Sequence, residues 1–131
     1  MMNSNRILIS LGSNYYAIRR IKKARKLLSK HFPRICFSPP ILNPAVDCEV
    51  KCHDFINCLG IIHTNLGKED CRQILKQVEQ SCGRLKYPKT ESRISIDIDL
   101  LIWNTEVCKP ADMERPYIQI GMQQLNISTD H

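Results

Sequence analysis

One stretch constrains the fold more than any other: Ile94-Ser95-Ile96-Asp97-Ile98-Asp99-Leu100, running on to Trp103. Apolar and polar side chains alternate there with a period of two, which an extended strand satisfies and a helix does not. As a strand, it sets Ile94, Ile96, Ile98 and Leu100 on one face and Asp97 with Asp99 on the other. The apolar face demands a core beneath it. On the opposite face, two carboxylates whose Cα atoms lie roughly 6.5 Å apart can converge on one point. At ~6 Å they repel by about 2–3 kcal/mol for an effective dielectric of 20. Either both face solvent, or something positive offsets them. Paired Asp oxygens suit Mg²⁺, which keeps several waters and completes its shell with substrate phosphates. Arg84, Lys86, Lys89 and Arg93 lie just upstream. Acid for metal beside base for phosphate is the layout phosphoryl transfer requires, so they favour the second reading.

The rest of the chain supplies the partners of this strand. Residues 6–11 read as a buried strand ended by Gly12-Ser13-Asn14. A helix follows from near Ala17 to Phe32, stopped by Pro33. Ile35 to Phe37 forms a short strand. Pro39, Pro40 and Pro44 then make Ser38 to His53 a long irregular loop, of a length that is more often functional than idle. Phe55 to His63 is a second long strand. Gly67 precedes a helix to about Cys82, with Ile74, Leu75 and Val78 on its apolar face and Gly83 as its stop. Asn104-Thr105 turns the chain into a short hairpin strand, Glu106 to Cys108, and the last twenty residues are weakly patterned. The order β-α-β-β-α-β(-β) predicts an α+β fold of the ferredoxin-like, split βαβ type. Its sheet is mainly antiparallel, with four to six strands and both helices on one face. At 131 residues, a single domain over 1–131 is expected.

Composition narrows the class. A hydrophobic share of 43% and a charged share of 24% exclude disorder and fibre. No apolar run approaches the ~20 residues of a membrane span. The opening Met-Met-Asn-Ser-Asn-Arg lacks the pattern of a secretory signal, so a cytoplasmic location is expected. Nineteen Lys and Arg against thirteen Asp and Glu give +6, favouring anionic partners. Arg19, Arg20, Lys22, Lys23, Arg25, Lys26 and Lys30 cluster on the first helix, where a solvated basic face is the plainer reading. Seven cysteines, an odd count without an export signal, read as reduced thiols, several of them acting as small hydrophobes. Cys48, Cys52, His53 and Cys58 lack a Cys-x2-Cys pair, so no structural zinc is expected there. A basic single-stranded RNA module would need a Lys/Arg-Gly-aromatic strand that is missing, and the aspartates would repel phosphates without metal. Neither nucleic acid nor membrane is expected as a partner; the oligomeric state is open, with a monomer favoured.

Four segments in order resemble the 6-hydroxymethyl-7,8-dihydropterin pyrophosphokinase family, of which this would be a short and divergent member. They are ILISLGSN at 7–14, HDFINCLGII at 53–62, VEQSCGRLK at 78–86 and SIDIDLLIWNTEV at 95–107. The resemblance implies transfer of pyrophosphate from ATP to a pterin alcohol in folate biosynthesis. It makes ATP the co-substrate, with two Mg²⁺ held by Asp97 and Asp99. Phe55 would stack on the pterin and Asn57 would bond its edge, which suits a flat heterocycle. By the same resemblance Arg115 and Tyr117 are the late arginine and second aromatic. Glu79, Arg84, Lys86, Arg93 and Lys109 fall at nucleotide positions, with Arg84 also catalytic.

The sequence also departs from that family. Thr90 and Ile94 stand where two phosphate-binding arginines are expected. Arg93 is one residue along and so on the other strand face unless a bulge intervenes. Lys109 replaces the usual histidine, and the chain stops about thirty residues early. Each lost arginine–phosphate contact withdraws ~1.5–3 kcal/mol, or about one to two decades in rate. Two functions therefore stay open: a pyrophosphokinase slowed by missing arginines, or a relative that binds pterin or nucleotide with weak or no transfer.

Overall fold

The computed structural model describes residues 4–43, 55–83 and 96–125. Ten elements follow in order: β1 Asn5–Ser13, α1 Ala17–His31, β2 Ile35–Phe37, β3 Ile41–Asn43, β4 Phe55–Thr64, α2 Lys68–Ser81, β5 Asp97–Trp103, β6 Glu106–Val107, α3 Pro110–Met113 and α4 Pro116–Gln124. The strands form one six-stranded sheet in the order β2-β4-β1-β5-β6, with β3 also on β4, and every pairing is antiparallel. This is the expected α+β architecture. No helix among the described residues is long and apolar enough to cross a membrane.

Alternation decides what each sheet face carries. Ile7, Ile9 and Leu11 of β1, Cys58 and Ile62 of β4, and Ile98 and Leu100 of β5 point to one face. There they meet Ile21, Ala24 and Leu28 of α1 and Cys71, Leu75 and Val78 of α2. Both helices were expected on that face, and their three- and four-residue apolar spacing is why. Burial pushes the thiols of Cys58, Cys71 and Cys82 up, Cys71 to about 11, so they pack as small neutral groups.

Three expectations need correction. The stretch from Ser38 is not wholly irregular: β3 pairs Ile41, Leu42 and Asn43 with Asn57, Ile56 and Phe55. The prolines interrupt an edge strand rather than abolish it, because an edge needs hydrogen bonds on one side only. Buried Ser38 bridges the break, its backbone N–H donating to the Leu59 carbonyl and its Oγ accepting from the Leu59 N–H at 2.9 Å. The weakly patterned segment after Cys108 holds two helices among the described residues, and Pro110 and Pro116 each start one at its first turn. Finally, the β5 alternation breaks before Trp103. Ile9 faces Leu100 while Leu8 faces Ile102, leaving Leu101 as the extra residue of a bulge. Leu101 and Ile102 thus both turn to the second face, and Trp103 returns to the first.

That second face has its own small core of Leu8, Leu59, Leu101, Ile118 and Met122. α4 lies tightly on it, since a Cβ at Gly121 would come within 2.6 Å of Leu59 Cδ1. The Glu106–Val107 hairpin strand forms as expected. Cys48, Cys52 and His53 lie outside the described residues, whereas Cys58 is buried with its Sγ 3.1 Å from the Ser38 carbonyl.

Candidate active site

α4 covers only part of the second face, and beside it opens a cavity of about 310 Å³. Its walls are Ser10 and Gly12 of β1, Phe55 and Asn57 of β4, Asp97 and Asp99 of β5, and Asp112, Arg115 and Tyr117 from the α3–α4 corner. Sheet register builds the floor. Gly12 pairs with Asn57 on one side and Asp97 on the other; Ser10 pairs with Leu59 and Asp99. Cross-strand partners share a face, so the row Asn57-Gly12-Asp97 runs straight across three strands. Gly12 keeps that row open: a Cβ there would meet Asn57 Nδ2 at 2.8 Å and approach Phe55.

The two aspartates face the cavity together, as alternation required. Burial and the neighbouring charge of Asp97 push the Asp99 carboxyl up to about 6, with Lys109 partly opposing. A carboxyl group pushed up in this way is poised to take up a divalent cation in place of a proton. Hard oxygen donors, partly buried and with a cavity in front of them, fit Mg²⁺; its other ligands would be waters and phosphate oxygens. Among the described residues no group of three or more His, Cys, Asp and Glu is placed to hold a metal. Among the described residues, Asp97 and Asp99 are therefore the pair that could contribute to such a shell.

The same cavity also offers surfaces that suit a flat, polar ring. Phe55 and Tyr117 supply aromatic surface, and Asn57 supplies hydrogen bonds. Asn57 is 5% exposed and its Oδ1 has no partner among the described residues, while its Nδ2 reaches the Leu11 carbonyl only at 3.5 Å. A buried amide oxygen without a donor costs free energy unless a ligand supplies one. Burial pushes the Tyr117 phenol up as well; Arg115 opposes that, and Asp112, Asp99 and Asp97 add to it.

Of the residues expected in the site, the cavity gathers Phe55, Asn57, Asp97, Asp99, Arg115 and Tyr117. Arg84, Lys86 and Arg93 lie outside the described residues. Lys109 stands near enough to lower the Asp99 carboxyl without lining the wall. Glu79 does not line it either; its Oε2 accepts the backbone N–H of Ile98 at 2.7 Å, tying α2 to the middle of the aspartate strand. Ser10, Gly12 and Asp112 join the site without having been expected there as functional groups. Ser10 and Gly12 left a signal, being small or polar at alternate positions within the apolar run of β1. Asp112 left none, because a four-residue helix has no readable period.

Comparison with known proteins matches the sequence to a family model. The model of 7,8-dihydro-6-hydroxymethylpterin-pyrophosphokinase (HPPK) covers residues 8–127. A curated relative, folic acid synthesis protein FOL1 of Dictyostelium discoideum, is 33% identical over 63 residues, which is 48% of this chain and 9% of that much longer protein. With the family match running from Leu8 within β1 through every later element and covering every described residue of the cavity wall, the chain belongs to the 7,8-dihydro-6-hydroxymethylpterin-pyrophosphokinase family.

Proposed function

We propose that this protein transfers pyrophosphate from ATP to 6-hydroxymethyl-7,8-dihydropterin as a step of folate biosynthesis. The observation that carries the reading is the cavity itself. Its wall brings Asn57, whose Oδ1 has no partner among the described residues, together with Phe55, Tyr117 and the Asp97–Asp99 pair. A pterin needs stacking surface and an in-plane hydrogen-bond partner; a triphosphate needs cationic help. Both are within one space of about 310 Å³.

In this reaction the pterin hydroxyl oxygen forms a bond to the β-phosphorus. The bond from that phosphorus to the α–β bridging oxygen breaks, AMP departs, and the hydroxyl proton leaves to solvent or base. Phe55 and Tyr117 hold the ring and Asn57 fixes its rotation, so the hydroxymethyl group is directed along the sheet towards the aspartates. Asp97 and Asp99 are the residues that would hold Mg²⁺. Bound there, the metal supplies charge neutralisation at the phosphates and a template for in-line displacement. Arg115, at the cavity mouth, offers a guanidinium for a phosphate oxygen.

The test is direct assay of AMP and pterin pyrophosphate formed from ATP, Mg²⁺ and the reduced pterin. Turnover is expected in wild type and in Asp70→Ala, on the exposed start of α2, and lost in Asp97→Ala. Binding of both ligands with no product in wild type would instead identify a non-transferring relative.

A further inference from the structure

Asp112 is a third carboxylate in the cavity wall, and nothing in the transfer reaction as described gives it work. Its Oδ1 lies 3.4 Å from Arg115 Nε, three residues on, with the Asp112 side chain 29% exposed and that of Arg115 58% exposed. The corner that carries both does not depend on this pair. The Arg115 backbone N–H donates to the Asp112 carbonyl at 3.1 Å, and Gln119 Nε2 donates to the Met113 carbonyl at 2.7 Å. Pro116 then starts α4 in its first turn. The backbone therefore holds the bend, leaving the Asp112 side chain free for another purpose.

We propose that Asp112 is a positioning residue for Arg115, an inference that rests on the nucleotide reading of the same cavity. The contact is to Nε. A guanidinium is planar, and a carboxylate on the Nε side leaves the terminal Nη pair directed away from it. That pair is the edge that grips a phosphate in two parallel bonds. An arginine this exposed otherwise samples many rotamers and loses that freedom on binding, at a cost equivalent to roughly two- to tenfold in affinity for one long side chain. Asp112 bears part of that cost before the nucleotide arrives. Its negative charge also acts against the phosphates, so the positioning gain has to exceed that repulsion, and the two effects predict opposite signs.

Calorimetry with Mg²⁺ and α,β-methylene ATP, which pyrophosphoryl transfer cannot cleave, separates them on the full chain. Asp112→Ala is expected to weaken binding about three- to fivefold, Asp112→Glu to restore it within about twofold, and the thermal midpoint to stay put. In an Arg115→Ala background, Asp112→Ala should produce no loss or a slight tightening. Equal or tighter binding by Asp112→Ala alone overturns the proposal. So does an undiminished loss without Arg115, or a rise in half-saturating Mg²⁺ that would make Asp112 a metal ligand. Failure of wild type to bind the analogue at all would sink the nucleotide reading instead.

Discussion

The two faces of the sheet are built from the same strands and do opposite things. On the helix-covered face, Ile9, Leu11, Ile98 and Leu100 are all buried against α1 and α2, and the cost of ordering them is offset by burial. On the other face the same strands present Leu8, Leu59 and Leu101 under α4, then change along their length to Ser10, Gly12, Asn57, Asp97 and Asp99. A continuous apolar face would have been more stable. The change of character two residues along each strand is what separates a scaffold from a site, and it places the buried Asn57 Oδ1 and the Asp97–Asp99 pair where a ligand can satisfy them.

The largest effect should come from the polar half. Asp99→Asn removes one of the two carboxylates proposed to hold Mg²⁺, and loss of a metal's charge stabilisation is worth several kcal/mol. Pyrophosphoryl transfer is expected to fall about a thousandfold or more, measured as AMP formed at saturating ATP and Mg²⁺, with the cooperative urea transition retained. A variant within tenfold of wild type would remove the carboxylate pair from the chemistry. On the helix-covered face the balance reverses. Leu11 is fully buried one residue from Gly12, pointing the other way. Leu11→Ala should cost about 3 kcal/mol of unfolding free energy, read from the urea midpoint, because transfer and cavity penalties add.

Much of this division was legible in the sequence. Period two in residues 96–100 placed Asp97 and Asp99 together, and three- and four-residue spacing in α1 and α2 placed both on the Ile98 face. What was not legible depends on contacts distant in sequence. β3 is three residues after two prolines, and only its pairing with Phe55 to Asn57 makes it a strand. α4 has a weak amphipathic pattern because its fit to the sheet turns on Gly121 against Leu59, a close approach that no periodicity records. Glu79 shares the limitation: a half-exposed glutamate on a helix reads as a solvated or ligand-facing group until the free N–H of Ile98 is found beside it. Asp112 enters the site only because the α3–α4 corner folds back over the sheet.

The boundary between the two halves of the second face can be probed at that close approach. Gly121→Ala adds a methyl at 2.6 Å from Leu59 Cδ1, inside contact distance, so Leu59 or the helix must shift. Overpacking of this kind costs about 1–3 kcal/mol. Because Leu59 pairs with Ser10, next to the row that floors the cavity, the variant should also raise the KM for the pterin more than that for ATP. Equal changes in both would mean that α4 shifts as a unit and carries Arg115 with it.

The smallest effect is also the one that most sharply links the site to stability. Asp99 titrates near 6 in the folded protein rather than at its ordinary 3.8, chiefly through burial and secondly through Asp97. Between those two values the folded state binds more protons than the unfolded chain, so without Mg²⁺ stability should fall as pH rises from about 4 to 6. A shift of that size corresponds to at most about 3 kcal/mol; solvent screening of a half-buried carboxyl reduces the expected loss to on the order of 1 kcal/mol. Urea titrations at a series of pH values would detect it as a difference from Asp99→Asn, which cannot ionise and should lack this component. Saturating Mg²⁺ should restore part of the loss above pH 6, since a cation bound only by the folded state stabilises it by mass action. Identical pH profiles for wild type and Asp99→Asn would mean that neither burial nor Asp97 raises the Asp99 carboxyl, and the polar half of the face would lose the electrostatic tension that sets it apart from the helix-covered one.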